Sequence, residues 1–380
     1  MWHYFDDEDL AAVKEVLDGG NLCSISGTVT RRFEEAFAAE FGSPHAVAVC
    51  NAMAGLHAAV AAAGVEPGDE VIVDPLVAFA GLAVMYHNGI PIYADVRRDT
   101  HTMDVESLRS RISPRTRAII VTQLWGLCAD MNEILQVARE HDLVVIEDCA
   151  HAIYARYEGR YAGTIGDIGV FSFQMSKQMA LGDAGMVLCR SEAHRDTIHE
   201  MITFGTIPAR VAWNYRINEV VSAIGTVQLK RARGYADICM ESARHYSDAA
   251  QGLDRLVVPQ AVPAGRVNTY HIWTALFEGD KVGVSYDEFQ QAHAEAGLGV
   301  NFGYIGKPAY LHPTIAEPVG YGKGCPRMCP FADTNPEYKE GLCPVAEDIM
   351  PRLMLIGTGG DPEDHKRAAE KWRGVLQRFA

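Results

Sequence analysis

Lys177 stands in a polar, glycine-bearing turn between two apolar, strand-like pieces. The stretch reads Phe171-Ser172-Phe173-Gln174-Met175-Ser176-Lys177 and runs on to Leu181-Gly182-Asp183-Ala184-Gly185-Met186-Val187. A lysine framed by apolar residues is partly desolvated, which lowers its pKa toward the neutral, nucleophilic amine. That is the form that condenses with a carbonyl. The second candidate is Asp148, in Glu147-Asp148-Cys149-Ala150-His151, just after the apolar run Leu143-Val144-Val145-Ile146. An acid at the end of a buried parallel strand stands where such sheets bind ligands. Taken singly, each has a plain alternative: a loop lysine with no role, and a capping or structural carboxylate. Taken together, they suit pyridoxal phosphate. The lysine holds the aldehyde as an imine, and the carboxylate keeps the pyridine nitrogen protonated so that the ring accepts electrons.

The elements that must position this pair can be read along the chain. Thr28 to Phe41 is an amphipathic helix with Phe33, Phe37 and Phe41 on one face and Gly42 as its stop. Ala46 to Cys50 is a buried strand. It runs into the small residues Asn51-Ala52-Met53-Ala54-Gly55 and an apolar helix through Ala63. A strand, a small-residue turn and a helix start form a place to bind phosphate, because first-turn N–H groups are unpaired and the helix dipole favours an anion. An ordinary βα turn reads the same way. The alternation continues through strands at 71–73, 90–96, 118–121 and 143–146 and helices at 78–88, 104–112 and 131–141. A further strand spans 166–173. Repeated β-α-β units with continuous apolar strands predict a mainly parallel sheet covered on both faces. The dinucleotide and P-loop glycine fingerprints are missing.

Composition bounds the rest. The 380 residues are 48% hydrophobic and 22% charged, with a formal net charge of -15. That balance disfavours a general nucleic-acid or anionic-membrane binder. No apolar run is long enough to span a bilayer, and the acidic start lacks a signal-peptide pattern. Nine scattered cysteines, several in apolar contexts, suit reduced thiols in a cytoplasmic protein. Cys325, Cys329 and Cys343 lack the paired knuckles of a zinc ribbon, and no metal site is expected. A long helical region from Asn218 to Gly252 links a large domain, residues 1–245, to a smaller C-terminal one, residues 246–380. The smaller domain carries a strand at 271–277 and helices at 286–296 and 362–379, and Gly320 to Thr334 reads as a loop.

The ordered motifs resemble the fold-type I pyridoxal-phosphate aminotransferases that act on keto-sugars and cyclitols, the DegT/DnrJ/StrS group. The residues that carry the likeness are Phe33-Glu34-Glu35-Ala36-Phe37, Asn51 to His57, Pro67 to Val73 and Ser113 to Ile120. Ile146 to His151, Gly166 to Phe173 and Asn214 to Glu219 complete the set. The resemblance implies an α/β fold with a large, mainly parallel domain and a smaller α/β domain. It implies that Lys177 is the Schiff-base lysine and Asp148 the partner of the pyridine nitrogen. His151 matches the position at the ring's phenolic edge, where many relatives have Gln, and suits the branch with the aminohydroxybenzoate-forming enzymes. Ser172, Met53 and Ala54 match phosphate ligands, and Phe79 the ring that stacks on the cofactor. Asn214 matches a residue that reaches the neighbouring subunit's phosphate, so a homodimer with composite sites is expected. Tyr304 and Lys307 fall where relatives contact substrate.

Two departures stand out. Met53 replaces the usual Thr and removes a hydroxyl ligand, and Gly182-Asp183-Ala184-Gly185 replaces the usual Gly-Glu-Gly-Gly. The expected activity is ping-pong transamination. Pyridoxal phosphate alternates with pyridoxamine phosphate, the donor is L-glutamate or L-glutamine, and the acceptor is a keto-sugar, a keto-cyclitol or a related secondary-metabolite precursor. The rival readings are a dehydratase-like relative, a regulatory homologue without transaminase activity, and a nucleotide-dependent oxidoreductase.

Overall fold

In the computed structural model, residues 3–204, 211–317, 320–326, 328–332 and 336–379 are described. Helix α1 (Asp7–Gly19) opens on a capping box between Asp6 and Asp9. Helix α2 (Val29–Phe41) buries Phe33, Phe37 and Phe41 and stops at Gly42 in the left-handed region. The alternating units then follow as β1 (His45–Val49), α3 (Ala52–Ala62), β2 (Glu70–Val73), α4 (Ala78–Tyr86) and β3 (Ile90–Tyr93). They continue as α5 (Val105–Ser110), β4 (Thr116–Thr122), α6 (Met131–His141) and β5 (Val144–Asp148). Next come the short β6 (Arg156–Tyr157) and β7 (Arg160–Tyr161), then β8 (Ile168–Ser172), β9 (Gly185–Cys189) and α7 (Glu192–Thr203).

These strands form a seven-stranded sheet in the order β1-β9-β8-β5-β4-β2-β3. From β8 to β3 every pairing is parallel, as the continuous apolar runs predict. Strand β9 is the exception, antiparallel to both β8 and β1. A parallel neighbour would need a crossover to the far edge of the sheet. Because β9 turns straight back, the chain between β8 and β9 hangs at the carboxyl edge, and Lys177 lies on it. Helix α3 packs close over the sheet at Gly55, where a Cβ would come within 2.9 Å of Val170.

The rest of the chain is α8 (Glu219–Ala250), β10 (Val257–Pro259), β11 (Arg266–Val267), β12 (Ile272–Phe277), α9 (Tyr286–Glu295) and β13 (Asn301–Phe302). It ends with α10 (Pro313–Ala316), α11 (Pro344–Ile349), β14 (Leu353–Gly357) and α12 (Pro362–Leu376). Strands β10-β12-β14-β13 make an antiparallel sheet, and β11 joins β6 and β7 in a small third one. Helix α8 packs on α1 and α2 at one end and on α12 at the other. The boundary expected between residues 245 and 246 falls inside α8. There Ala243 and Tyr246 share a core with Trp273, Phe289 and Trp372. The loop expected over Gly320 to Thr334 carries no helix or strand among its described residues, and its residues 327, 333 and 334 lie outside them.

Candidate active site

The site is built at the carboxyl edge of the large sheet. Strand β5 runs to Asp148 itself, two residues farther than the apolar run suggested. Strand β8 ends at Ser172, in register with Gly185 of β9. The intervening loop is braced by its own backbone. Phe173 N–H donates to Ala184 O at 2.9 Å, Met175 N–H to Gly182 O at 2.9 Å, and Lys177 N–H to Gln174 O at 2.8 Å. Gln178 Nε2 ties the loop to Thr269 O at 2.7 Å. The lysine is thus carried on a fixed turn.

A cavity of about 360 Å³ opens at this edge, within the size range of small-molecule sites. Met53, Phe79, Asp148, His151, Ser172 and Lys177 all line it. Burial pushes the Lys177 amine down to about 8, with the Asp148 carboxylate pulling the other way. Asp148 is raised by burial, and the Ala150 N–H and the Lys177 charge offset part of that rise. Its Oδ1 accepts the Ala150 N–H at 3.0 Å. A buried carboxylate held above its usual range calls for a cationic partner. His151 is held neutral by burial and by the nearby Lys177 charge, and its Nδ1 is buried with no hydrogen-bond partner among the described residues. Phe79 is 55% exposed at the cavity wall, so one face of its ring is free to cover a ligand.

Four of the expected site residues do not line this cavity. Ala54 is buried, and its N–H donates to Asn51 Oδ1 at 2.9 Å, so the helix cap takes the amide expected to meet a phosphate. The helix-start residues on the cavity wall are Asn51, Ala52 and Met53. Gly185 passes beneath them, where a Cβ would sit 3.0 Å from the Ala52 nitrogen. Tyr304 is half-buried, its ring edge-on to Trp125 at 5.7 Å, and feels the charges of Asp74 and Asp148. Lys307 is exposed beyond Gly306, and Asn214 is exposed before α8. The chain around Asn214 is pinned, since Trp213 and Tyr215 donate their N–H groups to Met201 O and Ile202 O. The stretch Gly205 to Ala209, whose Gly and Pro read as flexible in the sequence, lies outside the described residues.

The structure adds residues the motifs did not single out. Thr122 ends β4 beside Asp148, and Asp183 and Gln174 reach the cavity from the lysine loop. Asn51 was read only as one of the small residues opening the helix, and Thr122 needed the strand order. His271, at the entrance to β12, lies against His151 from the other side. Among the described residues, no group of three or more His, Cys, Asp or Glu is placed to hold a metal ion. Cys329 and Cys343 are buried and Cys325 half-buried. No helix among those residues is long and apolar enough to cross a membrane.

The donor set fits pyridoxal phosphate. A helix start and the Ser172 hydroxyl offer an anion site, Asp148 a place for a cationic ring nitrogen, and Lys177 an amine for an aldehyde. A model of the DegT/DnrJ/EryC1/StrS aminotransferase family matches residues 3–337. The spore coat polysaccharide biosynthesis protein SpsC of Bacillus subtilis (strain 168) is 33% identical over 334 residues, 83% of this chain and 84% of its own. GDP-perosamine synthase of Escherichia coli O157:H7 is 35% identical over 241 residues, 62% of this chain and 66% of its own. The crystal structure of 3-amino-5-hydroxybenzoic acid synthase superposes with a TM-score of 0.87 at 23% identity. That match covers 100% of this chain and 98% of that one, a likeness of fold.

Proposed function

The chain belongs to the DegT/DnrJ/EryC1/StrS aminotransferase family, whose members use pyridoxal phosphate, and from that premise we propose its particular reaction. It transfers an amino group from L-glutamate or L-glutamine to a keto-sugar, a keto-cyclitol or a related secondary-metabolite precursor. The two substrates take turns at one site, in ping-pong order. The observation that carries this reading is the buried Lys177 amine, held near 8, sharing a cavity with the buried Asp148 carboxylate. The names of the relatives, a polysaccharide biosynthesis protein and a perosamine synthase, support a sugar-like acceptor.

Bound pyridoxal phosphate supplies an electron-accepting ring that stabilises negative charge on the carbon beside the reacting nitrogen. Asp148 holds the proton on the ring nitrogen, because a buried carboxylate gains most from a neighbouring cation. Ser172 and the Ala52 and Met53 amides hold the phosphate. His151, kept neutral, offers a hydrogen bond at the ring's edge, and Phe79 covers its face. Lys177 anchors the aldehyde at rest. With its Nζ free, Lys177 would take and return the proton that moves during transfer. An amine poised near 8 does both within the ordinary working range.

The enzyme is further inferred to work as a homodimer of two-domain subunits, divided near residues 245 and 246. Asn214 of each subunit serves the phosphate of the other. Its exposure on this chain, away from its own cavity wall, supports that role. Offering single amino acids to the purified yellow enzyme tests the donor half-reaction. L-Glutamate or L-glutamine should bleach the visible band, and persistence of the band with both would overturn the donor assignment. Incubating the bleached enzyme with keto-sugars and keto-cyclitols then restores the colour with the true acceptor class.

A further inference from the structure

Asp74 directly follows β2, while Thr122 and Asp148 end β4 and β5. The three strands are parallel neighbours, and Thr122 is in register with Asp148. The sheet therefore sets an acid, a hydroxyl and a second acid side by side at the carboxyl edge. Both acids are 3% exposed. Asp74 Oδ1 accepts the Leu76 N–H at 3.1 Å. Its Oδ2 is buried and has no hydrogen-bond partner among the described residues, and the same holds for Thr122 Oγ1. Burial pushes the Asp74 carboxyl up to about 6, and the Asp148 charge adds to the rise. The Thr122 hydroxyl lies close enough to ease it, yet outside hydrogen-bonding geometry. The charge of Asp74 also reaches the phenols of Tyr93, on β3, and of Tyr304, after β13, and helps to raise both.

Two carboxyls sharing a poorly solvated edge resist ionising together, and a cation placed against one relieves both. We propose that Asp74 is a positioning residue of the cofactor site, a second acid behind Asp148 that ionises fully when a cationic ring nitrogen is held against Asp148. The inference rests on the reading of Asp148 as the partner of that nitrogen. Asp74 thereby strengthens the negative field at the ring-nitrogen end without touching the ring.

Retention of the cofactor in the pyridoxamine-phosphate form tests this, because Lys177 is then not bonded to it. Holoenzyme converted with the amino donor is dialysed to equilibrium between about pH 5 and 8.5. Asp74→Asn keeps the acceptor for Leu76 and removes the charge. The ratio of wild-type to variant affinity should be roughly three- to tenfold at pH 8, up to one pK unit of coupling. It should shrink toward one as pH falls below 6. The ionisation of the cofactor itself is common to both proteins and cancels in the ratio. A ratio that is constant with pH, or one throughout, overturns the proposal. Asp148→Asn separates the two readings. If that variant retains cofactor as the wild type does, the assignment of Asp148 fails and the inference with it. If it loses cofactor while the Asp74→Asn ratio is flat, the inference alone fails. Should Asp74→Asn not fold, Thr122→Val serves instead. Losing the hydroxyl should move the acid-side inflection in retention to higher pH, and an unmoved inflection counts against the proposal.

Discussion

The ring of His151 lies against the ring of His271, with centroids 4.5 Å apart and planes tilted by 32°. The contact joins the turn after β5 to the entrance of β12, so the second sheet backs the wall of the cofactor cavity. Burial holds both rings neutral, and the Lys177 charge pushes both further down. The amine therefore sits among groups that do not compete with it for a proton near neutral pH.

Lys177 should capture pyridoxal phosphate only as the free amine. With its pKa near 8, the capture rate of cofactor-free protein should fall about tenfold per pH unit below 8 and level off above it. Stopped-flow absorbance across that range measures this. Lys177→Ala should abolish turnover while still binding cofactor through its phosphate. Borohydride reduction and peptide mapping should label Lys177, and a label on another lysine would remove the assignment.

Asp148→Asn preserves the shape of the strand end and removes its charge. Turnover should drop on the order of a hundredfold or more, the scale of losing a preorganised charge at a reacting centre. Steady-state kinetics at saturating donor decide it. Near-normal activity would make the acid structural.

Met53 presents a thioether at the helix start where a hydroxyl would give the phosphate one more donor. Met53→Thr should tighten cofactor retention by about 0.5–1.5 kcal/mol, the net worth of one hydrogen bond. Dialysis against cofactor-free buffer measures the gain. Unchanged or weaker retention would show that Met53 is packed for another purpose, such as shaping the acceptor pocket.

Asn214→Ala and Lys177→Ala should complement each other if Asn214 acts across a subunit boundary. In a hybrid dimer one site carries both lesions and the other carries neither. Mixing the two proteins under subunit exchange should then restore activity, up to about a quarter of wild type for random pairing of symmetric dimers. No recovery, or a monomer by light scattering, would refute the composite site.

His101 is buried beside Trp125, and burial pushes its pKa from 6.5 down to about 3. The unfolded chain therefore takes up a proton below 6.5 that the folded chain refuses until about 3. Stability from this group is complete above 6.5 and is lost as pH falls through that window, at about 1.4 kcal/mol per pH unit. His101→Asn removes the titration and tolerates the residue's positive φ of 56°. The stability gap between pH 7 and pH 5 should be about 2 kcal/mol smaller in the variant than in the wild type, measured by urea unfolding.

Much of this site was written locally. The apolar runs that become β4, β5 and β8, the small residues opening α3, and the acid and lysine flanking them are patterns of near neighbours. Local sterics and periodic burial convert such patterns into strands and helix starts without reference to the rest of the chain. Asp148 and Lys177 were legible for that reason, whereas His151, Ser172 and the departure at Met53 were read only through the resemblance to the aminotransferase family. What the sequence could not decide depended on which strand lies beside which. Strand order follows from crossovers and long-range pairing, so the triplet of Asp74, Thr122 and Asp148 appears only when β2, β4 and β5 are side by side. The antiparallel return of β9, which hangs Lys177 at the sheet edge, is equally non-local. Competition for hydrogen bonds was also hidden. The Ala54 amide looked available until Asn51 was seen to cap it. The exposed positions of Asn214 and Lys307 were settled by packing of the whole chain, which a motif carries no information about.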